Sequence, residues 1–236
     1  MNVIRERLCG APVMIVYKDL EVAKKKGCIF FYHGLTAKKE GNLKEFRELA
    51  QEGFLVIGVD VFYHGERKHP RYEEIFSEKN PEKRQFMLDA ILLTIDELSF
   101  LIDELENRGW IKEGKIGVTG ISMGGHMTYT AITKEKRVKV AVAVVGSPKY
   151  KFERPESPHL HQDRFNKVYL LSQTGGIDDV VPPDNAREFH EELEKEFSDS
   201  KERFLYIEYP NSGHGFLESD WEACMSQMKS WFNNHL

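Results

Sequence analysis

Ile116-Gly117-Val118-Thr119-Gly120-Ile121-Ser122-Met123-Gly124-Gly125 joins a short apolar run to the start of a helical pattern through a serine flanked by glycines. A G-x-S-x-G sequence at a strand-to-helix turn forms a nucleophile elbow, a turn so tight that its serine adopts a strained backbone conformation. Gly120 and Gly124 remove side-chain bulk two residues before and two after Ser122. The free amides of the following helix start, Met123 among them, favour negative charge beside the hydroxyl. A dinucleotide fingerprint needs G-x-G-x-x-G, and Ser122 stands where its middle glycine would be. A P-loop needs a Lys-Ser/Thr pair after the last glycine, and none follows.

Outward from this turn, apolar runs alternate with helical spacing along the chain. Val13–Tyr17, Cys28–Tyr32, Leu55–Val59, Ile116–Thr119, Val140–Val145, Val168–Gln173 and Phe204–Tyr209 read as strands. Several are apolar on both faces, as strands covered by helices on each side must be. Helical patterns run over 43–52, 81–108, 123–133, 184–197 and 221–234. In the second, Asn80 and Pro81 suit the entry, Gly109 suits the exit, and Phe86, Leu88, Ile91, Leu92, Ile95, Leu98, Ile102 and Leu105 hold one apolar face. Lys24–Lys26 reads as a solvated turn. The alternation predicts an α/β fold over 1–236 as a single domain, with a mainly parallel sheet wrapped on both faces. Ligands of such sheets gather beyond the carboxyl ends of the strands.

A serine hydroxyl needs a base to become an effective nucleophile. Elbow enzymes place the acid and then the base after the nucleophile in chain order. That order removes His33, His64 and His69. His126 is expected to face away within the helix, His190 lies in a helical stretch and His235 at the terminus. His214 remains, in Ser212-Gly213-His214-Gly215-Phe216 after the last strand, with glycines that let the backbone bring the imidazole over Ser122. An acceptor must fix the tautomer of that imidazole. Asp178 and Asp179 both follow the strand Val168–Gln173, and the one not used could cap the helix near Asp184. Two donors must meet the developing oxyanion: Met123 N–H, and Leu35 N–H from His33-Gly34-Leu35-Thr36, with His33 organising that loop.

Composition narrows the class further. The chain has 236 residues, 33 basic and 38 acidic, for a net charge of −5, and 41% are hydrophobic. No stretch approaches the ~18 uninterrupted apolar residues of a membrane span. Residues 1–11 carry charge without a following apolar core, unlike a secretory signal. Three scattered cysteines, Cys9, Cys28 and Cys224, suit neither a disulfide framework nor a zinc cluster. A mildly acidic chain without a basic stripe is a poor partner for nucleic acid. A reduced, cytoplasmic protein is expected. His159-Leu160-His161-Gln162-Asp163 resembles the start of a binuclear metal site, but Arg164 stands where that motif continues with histidine. A cation there disfavours a divalent metal, so no metal is expected.

His33-Gly34-Leu35, Asp60 to Arg67, the Ser122 elbow, Asp178 to Pro182 and Gly213-His214 together resemble the α/β-hydrolase superfamily, in particular small esterases related to dienelactone hydrolase and prolyl oligopeptidase catalytic domains. The matching segments span 33 to 216. The resemblance implies Asp178 as the acid, four residues before Pro182, and supports Leu35 and Met123 as oxyanion donors. It places the Asp60–Arg67 loop at the site's rim, making His33, Phe62 and Tyr63 pocket candidates. Dienelactone hydrolase carries cysteine where this chain has Ser122. Only about twenty residues separate Val145 from Val168, where many relatives insert a helical cap, so the lid is small or absent, although Phe62–Asn80 could cover the site.

The expected activity is hydrolysis of small carboxylic esters by Ser122, His214 and Asp178 through an acyl-enzyme, with no cofactor. The same triad on a peptide or thioester is the alternative. A hydrolase fold that binds without turnover is a third reading, since fold alone does not establish function. Oligomeric state is not legible.

Overall fold

Cys28, Phe30 and Tyr32 point to one side of their strand and Ile29 and Phe31 to the other, and all five are buried. That two-sided burial is the rule for the central strands in the computed structural model, which describes residues 1–152 and 154–236. The strands are β1 (Asn2–Leu8), β2 (Ala11–Tyr17), β3 (Cys28–Tyr32), β4 (Leu55–Val59), β5 (Ile116–Ile121), β6 (Val138–Val144), β7 (Tyr169–Gly175) and β8 (Phe204–Tyr209). The helices are α1 (Leu20–Lys26), α2 (Leu43–Gln51), α3 (Tyr72–Ile75), α4 (Lys83–Asp96), α5 (Leu98–Asn107), α6 (Met123–Lys134), α7 (Asp184–Glu196) and α8 (Glu218–His235).

The strands form one sheet in the order β1-β2-β4-β3-β5-β6-β7-β8. β1 and β2 pair antiparallel, as do β2 and β4, and every later pairing is parallel. One face buries Ala23, Ile91, Leu101, Met127 and Phe189 from α1, α4, α5, α6 and α7. The other buries Phe46, Leu49, Cys224, Met228 and Phe232 from α2 and α8. Each fully buried side chain of this size contributes about 1.5–3 kcal/mol of hydrophobic stabilisation. No helix among the described residues is long and apolar enough to cross a membrane.

The order fixes where a site can form. From β3 the chain moves outward to β4, and from β5 it moves the opposite way. The strand order therefore reverses between β3 and β5, and crevices at such reversals are where α/β sheets bind ligands. Ser122 stands at that point.

Three local readings of the sequence are corrected. Residues 2–8 form an edge strand whose outward positions carry Arg5 and Arg7, so its alternation is masked by charge. It turns into β2 through Cys9 (φ 49) and Gly10 (φ 87), the positive pair a two-residue hairpin turn favours. Lys24–Lys26 is the last turn of α1, which Asp19 caps by accepting the Val22 amide and Gly27 (φ 144) ends. The helix expected over 81–108 is two helices meeting at Glu97. The Thr94 hydroxyl donates back to Ala90 O, a bond that bends helices, and accepts the Phe62 amide. The apolar stripe runs on through the break, which is why spacing alone does not reveal it.

A polar cluster is sealed inside the helical layer. Ser172 Oγ of β7 meets Tyr129 OH of α6 at 2.5 Å and His190 Nε2 of α7 at 2.7 Å. Burial holds the His190 imidazole down to about 3, and that of His33 to about 4. Unfolded histidine takes up its proton near 6.5. Each folded ring refuses a proton that the unfolded chain accepts, so stability is level above pH ~6.5 and declines toward pH 4, by up to ~1.4 kcal/mol per pH unit for each ring. Urea melts between pH 8 and 4.5 should show this decline, and His190→Gln should flatten part of it. Parallel curves for the two proteins would rule out His190 as a source.

Candidate active site

Ser122 has φ 59 and ψ −113, an unfavourable conformation for a residue with a Cβ. It is held there from both sides: its amide donates to Val144 O at 2.9 Å, and α6 begins at the next residue. The glycines around it allow backbone to touch backbone. A Cβ on Gly120 would lie 2.5 Å from the Gly124 carbonyl carbon, and one on Gly124 would lie 2.0 Å from Tyr32 O. Gly125 and Gly146 make a second close crossing, which the motif alone did not disclose. Thr36 (φ 64) and Val145 (φ 42) are also strained, so the loops after β3, β5 and β6 each store strain at one rim.

The acid and base loops are zipped to each other. Gly176 N donates to Tyr209 O and Ile177 N to Ser212 O. Ser212 Oγ donates to Asp220 and accepts the Leu217 amide, which fixes the turn carrying His214. Asp178 is buried, and its Oδ1 accepts the amides of Val180 at 2.9 Å and Val181 at 2.8 Å. Its Oδ2 lies 2.8 Å from His214 Nδ1, and His214 Nε2 lies 2.8 Å from Ser122 Oγ. The carboxylate assigns the proton to Nδ1, leaving the Nε2 lone pair for the serine hydroxyl. Asp179 is exposed, and the α7 N-terminus has no side-chain cap, so neither aspartate caps that helix.

The loop after β3 lies against the serine: a Cβ on Gly34 would sit 3.6 Å from Ser122 Cβ. Among the described residues, neither Leu35 N–H nor Met123 N–H has an acceptor in the protein. His33 holds this loop rather than lining a pocket wall, a correction to its place among the pocket candidates. It is 1% exposed, its Nε2 accepts the Val61 amide at 3.1 Å, and its Nδ1–H donates to Gly34 O at 2.8 Å. Phe62 is half-buried beneath the Arg67 guanidinium, 4.5 Å from its ring centre. Tyr63 packs edge-on against His69 and Phe86.

A buried ionic knot ties the loops after β3 and β4 together. Lys39 Nζ donates to Asp60 Oδ2 and Glu66 Oε1, each at 2.7 Å, and its amide donates to Asp60 Oδ1 at 3.0 Å. Asp60 Oδ2 also accepts the Glu66 amide. Burial opposes both charges, but these bonds outweigh it: the Lys39 pKa is raised and the Asp60 pKa lowered. Lys39 went unnoticed in the sequence because its partners stand 21 and 27 residues away.

Three further histidines have defined partners. His126 does not turn away from the elbow: its ring Nδ1 lies 3.0 Å from Ser122 O. His159 and His161 serve local turns, through Ser157 Oγ and Pro155 O.

Comparison with known proteins identifies the family and the fold. The family model described as "Dienelactone hydrolase family" matches residues 18–235. The chain is 26% identical to "Putative esterase YitV" of Bacillus subtilis (strain 168) over the whole of both proteins. It is 25% identical to "Esterase YjfP" of Escherichia coli (strain K12), covering 79% of this chain and 82% of that one. Among solved structures, TT1662 from Thermus thermophilus superposes with a TM-score of 0.79 at 22% identity, covering 98% and 99% of the two chains. A puromycin-hydrolyzing peptidase of Mycobacterium tuberculosis superposes at 0.76 with 18% identity, covering 99% of this chain and 39% of that one. With the family match running from α1 through α8 and the hydrolase fold around it, the chain belongs to the dienelactone hydrolase family and is a hydrolase.

Proposed function

We propose that the protein is a serine carboxylesterase acting on small esters. The observation that carries this reading is the continuous relay from Ser122 Oγ through His214 to Asp178, with both contacts at 2.8 Å. Ser122 Oγ attacks the acyl carbon while His214 Nε2 takes its proton. Asp178 holds the ring in its tautomer and stabilises the imidazolium. The oxyanion of the tetrahedral intermediate is met by the Leu35 and Met123 amides, which are otherwise unoccupied. His214 then protonates the leaving alcohol. In the second half-reaction it takes a proton from water, which attacks the acyl-enzyme and restores Ser122.

Small substrates follow from the openness of the site. Between β6 and β7 the described residues form only short 3-10 turns, Pro158–Leu160 and Gln162–Lys167, and no cap helix. His214 retains 27% side-chain exposure. The aromatic segment considered as a cover is packed against itself: His64, Ile75 and Phe76 are buried, and Tyr72 packs against His64 and Phe76. An open cleft supports acetyl to butyryl groups better than chains needing a deep tunnel.

A panel of p-nitrophenyl esters graded from two to twelve carbons, run beside acyl-thioesters and aminoacyl amides, tests the reading. kcat/KM should be highest for the short esters. Preference for the amides or the thioesters would move the assignment to a peptidase or thioesterase using the same relay.

A further inference from the structure

Mechanistically, Ser122, His214 and Asp178 leave one neighbouring imidazole without a task. His126 lies four residues beyond Ser122 in α6, and its backbone amide donates to Ser122 O at 3.1 Å. Its ring Nδ1 lies 3.0 Å from the same oxygen. A carbonyl can only accept, so Nδ1 carries the proton, and the ring is locked beneath the elbow by the nucleophile's own backbone. One turn further, Thr130 Oγ1 donates to His126 O and meets Tyr150 OH, which fixes the helix face on which the ring sits.

This tautomer leaves Nε2 with a lone pair. Among the described residues Nε2 has no hydrogen-bond partner. The Nε2 of His64 and the Nδ1 of His190 also lack partners and are sealed from solvent, whereas His126 is a half-buried residue. The ring lies within electrostatic reach of both His214 and Asp178. Burial lowers its pKa, against the Ser122 carbonyl bond and the Asp178 charge, which raise it, while positive charge on His214 lowers it. The lowered pKa favours the neutral ring, whose Nε2 is an acceptor.

We propose that His126 Nε2 is a specificity-determining acceptor for an O–H or N–H donor carried by the substrate near the scissile ester. The preferred substrates are then small esters bearing a hydroxyl or similar donor, and an anionic substituent at that place is disfavoured by the lone pair. This rests on the esterase reading above. A donor that finds Nε2 makes a bond its methyl isostere cannot, and sites that hydrogen-bond a substrate group discriminate strongly against analogues lacking it.

Two isosteric pairs test the assignment and locate the donor. Methyl 3-hydroxybutanoate against methyl 3-methylbutanoate places it in the acyl part, and 2-hydroxyethyl butanoate against propyl butanoate places it in the alcohol. For one pair, wild type should favour the hydroxyl member in kcat/KM by roughly tenfold over the ratio seen in alkaline hydrolysis, the size expected of one hydrogen bond. His126→Leu should bring that ratio down to the alkaline value, and His126→Gln, which keeps an acceptor, should retain part of it. Because each ratio is taken within one protein, a general loss of folding or activity cancels. Wild-type turnover with no preference in either pair, or a preference unchanged in His126→Leu, overturns the role of His126 alone. With no ester turnover by wild type at all, the esterase reading falls as well.

Discussion

Ser122→Ala is expected to lose ester turnover by a factor on the order of 10⁴–10⁶, the scale at which removing a triad nucleophile leaves only binding and oxyanion contacts. Ser122 Oγ is the atom placed 2.8 Å from His214 Nε2, and alanine has nothing to deprotonate there. The loss should fall on kcat rather than KM, since the variant removes a bond made during the reaction and not the cleft. The fold should survive. Alanine keeps the Cβ that makes φ 59 unfavourable, so strain is unchanged, and the Val144 bond is made by backbone. Circular dichroism should overlay that of wild type while p-nitrophenyl acetate turnover disappears. Turnover retained in folded Ser122→Ala would remove this serine from the mechanism.

Lys39→Met should have the second largest effect, and on two readouts together. Lys39 is 1% exposed and neutralises Asp60 and Glu66, so its removal leaves the fully buried Asp60 carboxylate without its counter-charge. Breaking one side of a buried ion pair costs about 3–5 kcal/mol. For a chain of this length that lowers Tm by roughly 10 °C. The loop between Gly34 and Lys39 also carries the Leu35 amide proposed for the oxyanion. Loosening it should lower kcat by a factor approaching the roughly 10²-fold of a missing oxyanion donor, with KM for a short ester little changed. The double variant Lys39→Met, Asp60→Asn should recover part of the Tm without recovering kcat, because no buried carboxylate is left unpaired: Glu66 is exposed and keeps Arg7 as a partner. A Tm fall with unaltered kcat would confine the knot to folding.

The elbow, the candidate base and the strand alternation are legible because each depends on residues adjacent in sequence. G-x-S-x-G declares its turn through glycines beside Ser122, and strands buried on both faces write themselves as apolar runs. What remained hidden depends on residues far apart or on backbone. Choosing Asp178 over Asp179 needed family resemblance, since the deciding feature is the pair of amides from Val180 and Val181 that only a folded loop presents. The edge strand β1 carries Arg5, Glu6 and Arg7 where an interior strand would be apolar. The break at Glu97 leaves the apolar stripe uninterrupted because Thr94 bends the helix through a hydroxyl, without proline or glycine. His126, expected to face away, instead folds its ring back onto the Ser122 carbonyl, a bond that depends on the rotamer the folded helix imposes.

Attack by Ser122 is most directly tested by covalent capture. Wild-type protein treated with a fluorophosphonate at neutral pH and digested should carry one adduct, on the peptide containing Ser122, at a rate that falls at least a hundredfold in His214→Ala. Labelling that misses this peptide in folded protein, or proceeds as quickly without the imidazole, would contradict the proposed relay.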